Sequence, residues 1–187
     1  MPVGPVHREV PPGDNRERLV CRDCGFVSYA NPKIVTGAVA VWPATGEIPL
    51  CRRAIEPQPG LLTLPAGYLE LGETTEQGAV RESAEEACAA IAIDRLLAVY
   101  NVARISQVQT IYRARLQSAD VRAGDETLEV GLFGWDDIPW DDIAFPTVRW
   151  VCAIFRNRGI RTYLRPTPTR RARAPIISER LTERPRT

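Results

Sequence analysis

Histidine is nearly absent from this 187-residue sequence, His7 being the only one. That scarcity removes whole reaction classes. A Ser-His-Asp or Cys-His hydrolase needs an imidazole base, and His7 lies in a Pro-rich leader outside any predicted core. Zinc catalysis through two or three histidines is excluded for the same reason. No apolar run approaches the ~20 residues of a membrane-spanning helix. The first residues, Met1-Pro2-Val3-Gly4-Pro5-Val6, lack the basic start and apolar stretch of a secretory leader. A cytoplasmic protein is the expectation. Of the five cysteines, only Cys21 and Cys24 are close in sequence, and an odd number cannot form a fully paired disulfide framework. Lysine is reduced to Lys33 alone. Chemistry here must rest on carboxylates, metal ions or an unusual nucleophile.

What is present divides the chain in three. A composition of 44% hydrophobic and 25% charged residues fits one folded domain with short appendages. The net charge of +1 hides an asymmetry. Residues 157–187 carry nine Arg against two Glu, so everything before them is acidic. Residues 1–33 read as a Pro- and Gly-rich leader, 34–158 as the domain, and 159–187 as a basic Pro/Arg-rich appendage without apolar periodicity.

Within the domain, strands are predicted at 34–42, 48–54, 96–101, 108–116 and 128–135, with a short apolar run at 61–64. In the 108–116 strand, Val108, Thr110, Tyr112, Ala114 and Leu116 share one face. Thr74 and Gln77 form a capping box opening a helix that runs to Ala87. Pro146 opens a second helix, in which Val148, Val151, Cys152 and Phe155 keep helical spacing. Strands mixed with two separated helices predict an α/β sandwich around a mixed sheet.

The chemistry concentrates in the first helix and the loop before it. Glu82, Glu85 and Glu86 fall within one narrow sector at about 100° per residue. Like charges at this spacing weaken a helix by a few tenths of a kcal/mol each. A divalent cation with oxygen ligands would offset that repulsion. An E-x-x-E-E segment by itself also fits a solvated acidic face. The wider pattern is more specific: Gly67, Glu73, Arg81, Glu82, Glu85 and Glu86 resemble the Nudix box, G-x5-E-x7-R-E-U-x-E-E-x-G-U with U apolar, at every spacing. Two positions depart from it. Ser83 stands where an apolar residue is usual, and Cys88 stands where the family has Gly. If that Gly supplies a positive φ, Cys88 costs about 1 kcal/mol there.

The resemblance covers residues 34–158 and implies a Nudix α/β/α sandwich. It implies hydrolysis of a nucleoside diphosphate linked to another group, with Mg²⁺ or Mn²⁺ held by Glu82, Glu85, Glu86 and the carbonyl of Ala66. Arg81 would orient a box carboxylate, and Glu73 would be more structural than ligating. The general base stays open between Glu82 and a downstream Glu, Glu126 or Glu129. The alternative is a non-catalytic Nudix-like nucleotide-binding module whose basic tail touches nucleic acid. Loss of box glutamates would favour it, and none is lost.

Cys21-x-x-Cys24-Gly25 followed by Tyr29-Ala30-Asn31-Pro32-Lys33 resembles the end of the zinc ribbon that precedes some Nudix domains. Val3 stands in place of an upstream cysteine. Structural zinc wants four ligands, and the leader offers two thiolates with His7 as a third candidate, so a degenerate ribbon without zinc is expected. The ribbon-bearing subfamily that cleaves ADP-ribose, FAD or NADH is the nearest resemblance. The S-Q-P-W-P-F-P-x-S signature of its NADH-cleaving branch is absent, as is the proline of many ADP-ribose hydrolases, where Ala103 and Arg104 stand. Arg52 and Arg53 are candidates to hold phosphate, and Trp42, Tyr68 or Tyr100 to stack on adenine. The implied partner is a small nucleotide; neither membrane nor nucleic acid is expected, and the oligomeric state stays open, a homodimer included.

Overall fold

The computed structural model describes residues 4–158. The expectations for Val3 and for the basic segment 159–187 lie outside the described residues. The leader, read from sequence as a degenerate ribbon, contains three strands: β1 (His7–Glu9), β2 (Arg18–Val20) and β3 (Val27–Ser28), in an antiparallel sheet of order β1-β2-β3. Its turns are held locally. The Gly25 N–H donates to the Cys21 carbonyl at 2.8 Å with Gly25 at φ 73°. Arg18 pairs with Asp14 at 2.9 Å and lies over the Tyr29 ring at 5.0 Å.

The domain is built from β4 (Lys33–Val41), β5 (Ile48–Arg53), β6 (Leu62–Thr63), β7 (Ala66–Tyr68), α1 (Thr75–Ala87), β8 (Ile91–Val102), β9 (Gln107–Leu116), β10 (Thr127–Phe133) and α2 (Pro146–Arg158). The predicted mixed sheet is present, and a second, antiparallel sheet stands with it. A four-stranded sheet, β7-β4-β9-β8, is mixed because only β4 and β9 run parallel. A three-stranded antiparallel sheet has order β10-β5-β6. Strand β8 is twice as long as the predicted 96–101 segment, because its pairing with β9 starts at Ile91↔Leu116. Its interrupted apolar pattern, Ile91-Ala92-Ile93-Asp94-Arg95, hid that extension, and two bulges break the register there.

Strand β4 separates two cores. Val39 and Val41 pack with Ile48, Leu50, Leu64, Val151 and Phe155 on the α2 side. Ala38 and Ala40 face Ala79, Ala87, Tyr112 and Ala114 on the α1 side. The small residues let α1 come close. Gly78 in mid-helix does the same, since a Cβ there would lie 2.6 Å from Thr36 Cγ2. Thr36 in turn donates its hydroxyl to the Thr75 carbonyl at 2.6 Å. A helical glycine costs about 1 kcal/mol against alanine, and close packing on β4 offsets it.

Helix α1 begins as its sequence predicts, with both halves of the Thr74–Gln77 capping box formed. Buried Ser83 is satisfied in an apolar position by donating to the Ala79 carbonyl at 2.8 Å. Cys88 is the left-handed C-cap at φ 46°, its N–H bonded to the Ser83 carbonyl. The following turn is closed from outside: the Arg122 and Gly124 N–H groups donate to the carbonyls of Ala87 and Glu86, at 2.9 and 3.1 Å.

Candidate active site

Gly67 on β7 opens the site. A Cβ there would stand 2.4 Å from both carboxylate oxygens of Glu82. Only glycine lets that carboxylate lie against the strand. Arg81, one residue earlier on α1, acts as a hub. It grips Glu73 through two bonds, Nη2 to Oε1 at 2.7 Å and Nε to Oε2 at 3.1 Å. Its Nη1 donates to Glu82 and Glu85, both at 2.8 Å, and its Nη2 to the Tyr68 carbonyl at 2.9 Å. Glu73 also accepts the Glu70 N–H at 2.6 Å. Arg81 and that bond hold its carboxyl below the ordinary value. Glu73 thus ties the loop at Glu70 to Arg81 on α1.

The three helix carboxylates do not share one environment. Glu82 and Glu86 are buried, while the Glu85 side chain is 58% exposed. Glu86 Oε2 accepts the Ala66 N–H at 2.9 Å. Burial chiefly pushes the Glu86 carboxyl up to about 7, with Glu82 and Glu126 adding repulsion and Ala66 and Arg53 opposing it. Burial also raises Glu82, against the pull of Arg81. Two desolvated, crowded carboxylates beside Gly67 have the chemistry of a divalent-cation site, which takes hard oxygen donors. As they stand, no three acidic, His or Cys side chains among the described residues are arranged to hold a metal ion. Arg81 draws Glu82 and Glu85 to its own nitrogens instead.

The other residues singled out from sequence divide by place. Arg53 and Glu126 both act electrostatically on Glu86, and the Ala54 N–H donates to the Glu126 carbonyl at 3.0 Å. Arg53 shapes the adjoining loop through bonds to the carbonyls of Ile55, Glu56 and Pro57 and lies 5.2 Å from the Phe145 ring. Arg52 is held on the sheet by Glu129 at 2.5 Å and the Gly60 carbonyl at 2.8 Å. Tyr100 packs on Trp150, ring centres 5.7 Å apart, and Trp42 packs against the alanine-rich core. The Tyr68 side chain is half exposed, and its backbone carbonyl accepts from Arg81.

Sequence reasoning missed Gly124 and the Lys33–Gln107 pair. A Cβ on Gly124 would overlap the Glu85 carbonyl at 1.6 Å; the only sequence signal was a glycine in an acidic loop. Lys33 stands opposite Gln107 across the β4–β9 pair, a proximity no local pattern reveals. In the leader, His7 pairs across from Val20 and does not gather with the cysteines as a third ligand. Cys21 is buried and Cys24 exposed. Two thiolates do not fit a four-ligand structural zinc.

Residues 31–151 match the NUDIX domain model and residues 3–30 match the Nudix N-terminal zinc-ribbon model. The chain is 27% identical over 115 residues to an ADP-ribose pyrophosphatase of Methanocaldococcus jannaschii, covering 59% of this chain and 67% of that one. A NUDIX hydrolase from Nitrosomonas europaea is 42% identical with a TM-score of 0.78, covering 82% of this chain and 86% of its own. The NUDIX domain of Shewanella oneidensis NrtR, solved with ADP ribose, shares the fold at 20% identity and a TM-score of 0.60, over 70% of this chain and 90% of its own. With its domain model matched over most of its length and the box carboxylates gathered on α1 behind Gly67, the chain belongs to the NUDIX hydrolase family, joined to a ribbon segment of the Nudix N-terminal type.

Proposed function

We propose that this enzyme hydrolyses the pyrophosphate bond of a nucleoside diphosphate linked to another group, of the ADP-ribose, FAD or NADH class, releasing AMP and the phosphorylated remainder. The observation that carries this reading is the pair of buried carboxylates, Glu82 and Glu86, set against the β7 backbone at Gly67 and Ala66. The ADP-ribose pyrophosphatase among the relatives supports the substrate class. Glu82, Glu85, Glu86 and the Ala66 carbonyl would hold Mg²⁺ or Mn²⁺, which when bound neutralises diphosphate charge and acidifies water. Arg81 positions Glu82 and Glu85. Arg53 supplies positive charge beside Glu86 for a substrate phosphate, and Glu82 or a downstream Glu, Glu126 or Glu129, would accept a proton from attacking water. The catalytic unit is residues 34–158, with 1–33 as a ribbon that holds no zinc.

The test is a hydrolysis screen with Mg²⁺ across ADP-ribose, FAD, NADH, diadenosine polyphosphates and oxidised deoxynucleoside triphosphates. AMP release from one of the first three, abolished by EDTA and restored by Mg²⁺ or Mn²⁺, is expected. Full activity after exhaustive chelation would sink the carboxylate reading.

A further inference from the structure

Across β7 from the carboxylates, on the opposite face of its sheet, stands a group of side chains outside the box motif. Tyr68 follows Gly67 on β7, so strand alternation puts its side chain on the face opposite the one against which Glu82 lies. Its carbonyl accepts from Arg81 at 2.9 Å, which ties the ring's position to the carboxylate hub. The Lys33 ammonium lies over the ring, 4.8 Å from its centre. The Tyr68 hydroxyl accepts from Gln107 Nε2 at 3.2 Å, and Gln107 Oε1 accepts from Gln109 Nε2 at 3.2 Å. Strand register puts them together: Lys33 opposes Gln107 across β4–β9, and Val35 opposes Tyr68 across β4–β7. Three strands thus hold one aromatic ring that is still 48% exposed.

A ring fixed before its ligand arrives loses little side-chain freedom on binding. A cation over one face is attracted to the π electrons and leaves the opposite face less negative. That face favours an offset-stacked, neutral, electron-rich heterocycle and disfavours a positively charged one. We propose that Lys33, Tyr68 and Gln107 form a base-recognition subsite that takes the neutral purine of the nucleoside diphosphate and rejects a cationic base. This rests on the hydrolytic reading of the neighbouring carboxylates. Lys33 is then a specificity residue acting through the Tyr68 ring, and Gln107 a positioning residue that orients it.

The test is steady-state kinetics of the full chain with Mg²⁺ on whichever of ADP-ribose, FAD or NADH it cleaves. Each is compared with its N1-methyladenine counterpart, cationic at neutral pH, and with its neutral N6-methyladenine counterpart as a size control. Wild type is expected to prefer the parent over the cationic form by about tenfold or more in kcat/KM, through KM, as loss of roughly one stacked base implies. Lys33→Gln should narrow that preference to within about threefold with kcat changed less than about twofold, and Lys33→Arg should restore it. Tyr68→Ala should raise KM for the parent about tenfold or more. A Lys33→Gln enzyme with the wild-type ratio, or a wild type that treats the two methylated forms alike, overturns the subsite while leaving the hydrolytic reading intact. A wild type that cleaves none of the three parents overturns both.

Discussion

Glu86 faces opposing demands. Burial and the nearby Glu82 and Glu126 favour its neutral form, whereas metal binding needs it ionised. Its folded carboxyl titrates at about 7, above the ordinary 4.5, so folding of the metal-free protein takes up a proton between those values. The stability contributed by that proton is complete below the unfolded value and is lost as pH rises through about 7. The melting temperature without metal should therefore fall between pH 5 and 8, by less in Glu86→Gln. Mg²⁺ should raise it more at pH 8 than at pH 6, and a scanning calorimetry series checks both. An equal Mg²⁺ effect at the two pH values would remove Glu86 from the metal site. Glu86→Gln keeps an acceptor for the Ala66 N–H while removing charge, so its metal-free melting temperature should stay level or rise. Its turnover should fall by about 10²-fold or more. Arg81→Ala should lose both rate and stability, because it strips five hydrogen bonds from Glu73, Glu82, Glu85 and Tyr68. Buried Glu82 would keep its charge without its partner, a loss in the range of about 3 kcal/mol where burial is complete and less here. Denaturant unfolding of the variant measures it.

At the scale of the element, α1 is shaped at both ends by residues that carry no chemistry. Its start follows from a local code, the capping box. Its end does not: the last turn has no basic residue, Cys88 adopts a conformation that suits glycine, and backbone N–H groups from 122–124 close the carbonyls. Cys88→Gly should therefore stabilise the protein by about 1 kcal/mol, with turnover unchanged, as left-handed backbone relieves its Cβ strain. Chemical denaturation should show a higher midpoint at unchanged slope. Gly124→Ala should act oppositely and cost about 1–3 kcal/mol, since its methyl would force the loop off the helix end. Because that loop continues into Glu126, turnover should fall as well. A Gly124→Ala protein with wild-type melting and rate would show the helix end to be free of the loop.

Across the whole molecule, the two helices close opposite cores. Val148, Val151, Cys152 and Phe155 of α2 complete the larger one, so a chain ending at residue 158 should keep its melting temperature and turnover nearly unchanged. Truncation that leaves folding intact but abolishes turnover would place arginines of residues 159–187 in the site. Among the described residues no helix is long and apolar enough to cross a membrane. Local patterns determined several elements, among them α1, α2 and β9, without help from the fold. The capping box set the start of α1, period-two alternation placed β9, and the spacing from Gly67 to Glu86 marked the carboxylate cluster. The first two depend on neighbours a few residues apart, where geometry follows from helix or strand period alone, and the third on the resemblance to the Nudix box. Tertiary structure decided the rest. It added an antiparallel sheet to the expected mixed one, lengthened β8 by pairing it with β9, and divided three similar glutamates into two buried and one exposed. It set Arg52 on Glu129 and Arg53 near Glu86, though the two are adjacent in sequence. It brought Lys33, Tyr68 and Gln107 to one sheet end across separations of tens of residues. Burial, pairing partner and charge environment arise only from contacts between distant segments, and no local pattern encodes them.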